Sequence, residues 1–356
     1  MDMNTIRLQV HEMNPDELFY QEYYELKQEG KPIEPLIKRY GMNEILRRHL
    51  IVPEIKETIP PQYEDAFFFE LTDANSIIVQ KHNRYSPTLF HKHTFFEILY
   101  VYDGNCKQKL EQKDYNLSTG DLCIIPPGIR HSITVNDESI VINVLIRKDT
   151  LHSIFHSFLN VPNILSSFFL NNIYAKQKND YIIFHSGNDY EIRRAFLYML
   201  LESINKEKCY YQIISNTLML VFGLLIRSHE HTIEMPMLSS QAEQQCFHLL
   251  SFIQKNSSTI TLNDIAKYFH YTPEYTSKLI KQITGMTLTD ILLQIRMEKA
   301  QDYLVNTNLS IATICEEIGY ESPEYFVRLF KKHTGESPSA YRKRRASQMS
   351  AEDVLK

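Results

Sequence analysis

Cysteine is scarce and scattered. The five residues, at 106, 123, 209, 246 and 315, are odd in number and form no Cys-x-x-Cys pair. That excludes a disulfide scaffold and a cysteine-type zinc finger and fits a reducing, cytoplasmic compartment. Long apolar runs are also missing. The longest strongly apolar stretch, Leu218 to Ile226, falls short of the ~20 residues that span a bilayer, so no membrane partner is expected. The opening residues, Met1-Asp2-Met3-Asn4-Thr5, carry neither the basic nor the apolar region of a secretion signal. Charged residues make up 23% and the net charge is -5, which excludes a solvated tail protein. What is present is 356 residues with 43% hydrophobic content, enough for two or three folded units.

Charge is unevenly placed. Between Ser240 and Ala346 there are 13 Lys/Arg against 11 Asp/Glu, while residues 1–239 carry a net -6. After Ser322 the basic residues Arg328, Lys331, Lys332, Arg342, Lys343, Arg344 and Arg345 face only Glu324 and Glu336 before Ala346. A local excess of this kind is a weak pointer to phosphate.

The texture of the chain divides it into an α+β multidomain protein. Residues 1–60 form an N-terminal helical extension, with helices expected over Asp16–Gln28 and Glu34–Leu50 and a break at Pro60-Pro61. Over 61–150, short β-branched and aromatic runs (Ile77 to Val79, Phe95 to Tyr102, Leu122 to Ile125, Ile140 to Ile146) alternate with turns such as Asp103-Gly104, the pattern of a compact barrel or sandwich. Residues 151–229 turn helical, with segments at Leu151–Leu159, Tyr190–Asn205 and Tyr211–Arg227. Their apolar stripes suit either an internal core or a dimer interface. Residues 230–240, with Pro236 and Ser239-Ser240, read as a linker, and 241–346 are helical throughout.

The most specific signal is an internal repeat. Tyr271-Thr-Pro-Glu-Tyr-Thr-Ser-Lys-Leu-Ile-Lys-Gln-Ile-Thr-Gly285 recurs about 50 residues later as Tyr320-Glu-Ser-Pro-Glu-Tyr-Phe-Val-Arg-Leu-Phe-Lys-Lys-His-Thr-Gly335. Two copies are too few for a solenoid but suit two helix-turn-helix units, in which a short helix and a tight turn present a second helix to the major groove. Thr272 and Ser322 are apt N-caps with proline next. Leu279, Ile280 and Ile283, and then Phe326, Leu329 and Phe330, face the core; Glu274, Ser277, Lys278 and Lys281, and then Glu324, Val327, Arg328 and Lys331, are left outside. Leu288 to Leu304 is expected to be one helix of about 25 Å holding the reading helices near the ~34 Å of one duplex turn.

On these residues, the segment from about Ser257 to Arg344 resembles the DNA-binding domain of the AraC/XylS family of bacterial transcription regulators. Most telling are Arg296-Met-Glu-Lys-Ala300, Ser310-Ile-Ala-Thr-Ile-Cys-Glu-Glu-Ile-Gly-Tyr320 and Tyr325 to Pro338 followed by Tyr341-Arg342. Cys315, Ile280 and His270 stand where Ala, Phe and Gly are usual, all at packing or turn positions. The resemblance implies promoter DNA as partner. Arg328, and Lys278 in the matching place, are the candidates for reading guanine. Glu274 and Glu324 either accept from cytosine or stabilise helix N-termini. Lys281, Lys331, Lys332 and Arg342 are candidates for phosphates.

A second constellation is His91-Lys-His93-x3-Glu97-x6-Gly104, then Gly120-x5-Pro126-Pro127-Gly128-x2-His131. It is similar to the two cupin motifs, although Val135 stands where the second motif usually ends in Asn. The fold expected is therefore an N-terminal, jelly-roll-like cupin barrel with flanking helices, followed by an all-α double helix-turn-helix domain. His91, His93 and Glu97 share strand parity with Leu99 and Val101, which turns them into the barrel beside His131. The four residues are read as an effector pocket, for a sugar or another small molecule, that needs no cofactor; a divalent metal is the alternative occupant. The whole reads as a homodimeric, ligand-responsive regulator, an activator that meets RNA polymerase, and not an enzyme. The rival reading is a cupin metalloenzyme with an accessory helical domain.

Overall fold

The structure is a computed structural model that describes residues 2–59, 69, 77–148, 150–151, 163–174, 181–235 and 241–344. It divides into two units, Met1–Thr150 with Lys178–Pro236, and Leu151–Gln177 with Met237–Lys356. The segment 151–177, which sequence texture joins to the helices before the linker, thus falls with the C-terminal unit. The helix expected at Leu151–Leu159 lies outside the described residues.

The first unit opens with α1 (Met3–Gln9), α2 (Pro15–Gln28), α3 (Glu34–Tyr40) and α4 (Met42–Arg47). Asn14 and Glu17 close a capping box at the start of α2, satisfying two donors that the helix itself leaves free. The single helix expected over 34–50 is two, because Gly41 stands between them at φ 81°. Among the described residues eight strands follow: β1 (Ile77–Lys81), β2 (Phe96–Asp103), β3 (Asn105–Leu110), β4 (Lys113–Ser118), β5 (Asp121–Ile125), β6 (His131–Thr134), β7 (Ile140–Ile146) and β8 (Ile182–His185). They build two antiparallel sheets, β1-β7-β2-β5-β8 and β4-β3-β6. Leu99, Val101, Cys123, Ile125, Val141 and Ile183 of the first meet Cys106, Leu110, Leu117 and Ile133 of the second in one core. The other face of the larger sheet lies under α6 (Tyr190–Asn205), where Tyr100 stacks on Phe196 with ring centroids 4.1 Å apart. β2 is buried on both faces, which explains the apolar run Ile98 to Tyr102 that follows Glu97. The strands that apolar runs do not announce are β3, β4 and β6, while β8, with the run Ile182 to Phe184, lies in the stretch expected to be helical. β3 alternates exposed polar side chains with buried ones, as a sheet with one solvated face requires.

α7 (Tyr210–His229) packs along α6. With its following turn it is the one described helix long and apolar enough to cross a membrane, but Ile214, Leu218, Val221, Phe222 and Leu225 are buried within the protein. The first residues of the expected linker are anchored: Glu234 exchanges backbone hydrogen bonds with Ile183 (3.0 and 2.8 Å), and residues 236–240 lie outside the described set. His229 reaches the α6 N-cap Asp189 at 2.8 Å.

The second unit holds α5 (Ile164–Tyr174), α8 (Gln241–Lys255), α9 (Leu262–Tyr268), α10 (Pro273–Thr284), α11 (Leu288–Asn306), α12 (Ile311–Glu317) and α13 (Pro323–Thr334). The sequence repeat is a structural repeat down to single hydrogen bonds. Thr272 and Ser322 cap α10 and α13 by accepting from the Tyr275 and Tyr325 amides, each 3.2 Å. Gly285 and Gly335 end them in the left-handed conformation. In the turns before them, Tyr271 N donates to Ala266 O (2.8 Å) and Tyr320 N to Cys315 O (2.9 Å). At the turn itself the copies differ. Gly319 takes φ 86°, whereas His270 takes φ 57° with a side chain, a conformation that costs a non-glycine residue about 1–2 kcal/mol.

Candidate effector site and DNA-binding face

The His-x-His segment is not a continuous strand, since the chain bends at Thr94-Phe95 before β2 begins. Backbone contacts assemble the cluster instead. His91 and His131 exchange amide hydrogen bonds (2.9 and 2.8 Å), and Gly128 N donates to His93 O (2.9 Å). Gly128 does this at φ 89°, in the left-handed region that suits glycine. The motif spacing thereby stitches the two histidine-bearing segments together. His93 and His131 are buried, as is Glu97. Nε2 of His131 lies 3.1 Å and Nε2 of His93 3.3 Å from Glu97 Oε2, and Asn143 Nδ2 donates to Glu97 Oε1 (2.8 Å). The His91 ring sits with its centroid 4.4 Å from that of His131. All four expected residues are brought together.

Their protons follow from their partners. Nδ1 of His91 is 3.0 Å from Leu89 O and Nδ1 of His131 is 3.2 Å from Ile129 O. A carbonyl only accepts, so both Nδ1 atoms carry hydrogen and both Nε2 atoms are lone pairs in the neutral rings. Burial, with the neighbouring His131, pushes the pKa of His91 down to about 4, and burial lowers that of His93. Burial alone would raise the Glu97 carboxyl, but contact with the His131 and His93 rings holds it well below the usual range. The cluster therefore sets a buried carboxylate against the Nε2 atoms of His131 and His93. Such a set wants one more positive charge, whether a proton or a cation. One ligand atom each from His93, Glu97 and His131 lies within 4.8 Å of the others, close enough for a shared metal ion.

The cluster opens on a cavity of about 1100 Å³ walled on one side by the barrel and on the other by the helical extension. Ile6, Val10, Asp16 and Arg48 line it beside Lys81, His82, Asn143 and Leu145. Sequence reasoning missed Asn143 and His82. Asn143 had a legible signal, as the one polar residue in the run Ile140 to Ile146. The extension is held there by a buried ionic group. Glu17 accepts from Arg84 Nε (2.9 Å), lies 2.7 Å from Lys81 Nζ, and also accepts from the Asn14 amide (2.9 Å).

In the second unit Glu274, Ser277, Lys278 and Lys281 are exposed along α10, and Glu324, Arg328, Lys331 and Lys332 along α13. Arg328 lies over the Tyr325 ring at 5.3 Å, which stiffens its long side chain. Val327 is half-buried and packs against the core of its unit. Arg342 is placed differently from the lysines: it donates to Leu304 O (3.2 Å) and Leu309 O (2.7 Å). Its guanidinium closes the end of α11 rather than the outer face. The expected core residues Ile280, Phe326 and Phe330 are fully buried, and Leu279, Ile283 and Leu329 partly so.

A paired-sheet barrel with a polar floor and a duplicated helix-turn-helix define a ligand-sensing, DNA-binding regulator. The chain belongs to the AraC/XylS family: residues 78–159 match the AraC-like ligand binding domain and residues 265–344 a helix-turn-helix domain. It is 25% identical over 285 residues to the HTH-type transcriptional activator RhaR of Pectobacterium atrosepticum, covering 80% of this chain and 95% of that protein. It is 35% identical over 95 residues to the bifunctional transcriptional activator/DNA repair enzyme AdaA of Bacillus subtilis, covering 26% of this chain and 45% of that one. The chain thus spans less than half of AdaA. Among solved structures, the C-terminal domain of AraT, a response regulator from Geobacillus stearothermophilus, is 38% identical, covering 30% of this chain and 89% of that domain with a TM-score of 0.28.

Proposed function

We propose that this protein is a cytoplasmic, homodimeric transcription activator that recognises promoter DNA through α10 and α13 and responds to a small molecule bound over His91, His93, Glu97 and His131. The observation that carries this reading is the pairing of two exposed, basic reading helices with a buried polar cluster at the floor of a large cavity. Arg328 and Lys278 read bases, while Lys281, Lys331 and Lys332 hold phosphates. The effector would stabilise one arrangement of the chain over another and so shift promoter occupancy or contact with RNA polymerase. Selection of bound sequences from random or genomic DNA tests it. A salt-dependent, sequence-specific complex supports the reading, and a protein that enriches no sequence defeats it.

The Nδ1 hydrogen bonds of His91 and His131 to carbonyls favour a divalent transition metal as part of the site. Such carbonyl partners fix a metal-binding imidazole in the tautomer that offers Nε2. His93, His131 and Glu97 would hold the ion, with His91 beside them. When bound, it would supply the missing positive charge and a Lewis acid for oxygen atoms of an effector such as a sugar. About one ion per chain in protein purified without chelator or nickel resin, lost in His93→Ala, supports the metal. Metal-free protein that still answers its effector leaves the organic ligand alone as the occupant.

A further inference from the structure

We infer that Arg296 is a positioning residue that sets the spacing of the two reading helices. This rests on both α10 and α13 reading DNA. The expectation from sequence is that α11 alone holds them apart. At 19 residues it would be about 28 Å long, but a helix fixes only the distance between its own ends. The angle at which the second helix-turn-helix leaves it must be set by something else.

That second restraint is a joint at the loop of residues 256–260, which leads from α8 into α9 of the first helix-turn-helix. Arg296, midway along α11, donates from Nε to Ser257 O (2.8 Å) and from Nη2 to Ser258 O (2.9 Å). The same guanidinium lies over the ring of Tyr320, 5.1 Å from its centroid, where the turn of the second helix-turn-helix leads into α13. Ser258 also reaches that helix-turn-helix directly, its Oγ donating to Glu317 O (2.9 Å) at the end of α12. A Cβ placed on Gly319 would stand 1.8 Å from Ser258 O, so loop and turn pack backbone to backbone. Lys299 Nζ adds a hydrogen bond to Ser257 Oγ (2.8 Å). One planar fork thus joins the loop before the first helix-turn-helix, the central helix and the turn that precedes the second reading helix. Lysine, a point donor on a flexible stem, cannot hold two carbonyls and cover a ring at once.

The consequence concerns DNA phase. Moving one half of a bipartite site by one base pair shifts it ~3.4 Å along the duplex and rotates it by about a tenth of a turn. A rigid joint rejects such a site and a loose one follows it.

The test uses the full-length protein and an operator obtained by selection, with the spacer between the elements read by α10 and α13 varied from -2 to +2 base pairs. Wild type should prefer one spacing by at least about tenfold, comparable to losing a base contact. Arg296→Met should reduce that preference to under about threefold while keeping the sequence preference within each element and the salt slope. A folded Arg296→Met with the wild-type spacing profile overturns the assignment, as does a uniform loss at all spacings, which marks a residue needed only for stability. Should Arg296→Met not fold, Arg296→Lys and Ser258→Ala carry the test: a partial loosening supports the joint, and unchanged profiles in both overturn it. A wild type indifferent to spacing refutes the two-helix reading, and the joint falls with it.

Discussion

Replacing Glu17 with Gln should loosen the helical extension from the barrel and damage the cavity between them. Glu17 has no exposed surface, and its carboxylate faces Arg84, itself 1% exposed, together with Lys81. Glutamine keeps the shape and the hydrogen-bonding oxygen but removes the charge, leaving two largely buried cations, and the other carboxylate on Arg84, Glu138, is mostly in water. Breaking a buried pair from one side costs about 3–5 kcal/mol, because the surviving charge remains desolvated. For a unit of this size that is roughly 6–20 °C in melting temperature. The pH profile gives the sign independently. Burial alone would raise the Glu17 pKa, but Arg84 and Lys81 outweigh it and hold it below the ordinary 4.5. A depressed folded-state value means the stabilisation is complete above that ordinary value and disappears as pH falls through the folded one. The wild type should therefore lose stability on acidification, and Glu17→Gln should lose less, since part of that dependence is gone. Thermal melts of both proteins between pH 3.5 and 7.5 read this. A variant within about 1 kcal/mol of wild type at pH 7, with the same acid limb, would refute the reasoning. The double variant Glu17→Met with Arg84→Met should be less harmful than the sum of its parts, as expected for partners in direct contact.

Arg328→Ala should weaken operator binding by about 1–3 kcal/mol and relax preference at one base pair, whereas Lys332→Ala should weaken all sequences alike and flatten the salt slope; identical sequence profiles in a binding titration would cancel the division into base and phosphate contacts. Gly319→Ala should destabilise the C-terminal unit by roughly 2–4 kcal/mol, from a Cβ 1.8 Å from Ser258 O. His270→Gly at the matching turn should stay within about 1 kcal/mol of wild type in urea titration, since relieved strain offsets the entropy of glycine. His185 is paired with Asp121 (2.7 Å) and Glu234 (3.0 Å), and although burial lowers its pKa these carboxylates raise it overall. Its tie to the chain near Glu234 is then full below the ordinary 6.5 of histidine and lost as pH rises through the folded value. Protease cleavage after residue 232 should be slower at pH 6 than at pH 8.5 in wild type, and equal at both in His185→Ala.

The repeat made the second unit legible almost residue by residue, because helix caps, a proline at the first helical position and a terminal glycine are local chemistry written in adjacent letters. Thr272-Pro273 and Ser322-Pro323 open α10 and α13 where that chemistry demands. The histidine cluster was legible for a different reason. Its spacing is set by turns, and the turn at Gly128, not strand parity, delivers His131 to His93. What could not be read were contacts that join segments far apart in sequence. Charge and position place Arg342 with the candidate phosphate contacts, yet its partners are the carbonyls of Leu304 and Leu309. No periodicity in the sequence distinguishes a guanidinium aimed at a phosphate from one aimed at a helix end.

The same limit hid the role of residues 1–59. Glu17 sits in a helix whose pattern calls for a solvated acid in the first turn, and Arg84 follows a strand as an ordinary surface cation would. Only their pairing, 67 positions apart, shows that both are interior. It follows that the extension is a wall of the sensor and not an appendage to it. The cavity wall is built from residues of α1, α2 and the turn after α4 as well as His91 and His93. A cavity of about 1100 Å³ exceeds the ordinary upper range for small-molecule sites. An effector that meets both walls must be larger than the polar cluster alone would suggest, or must bind with the extension drawn further over it.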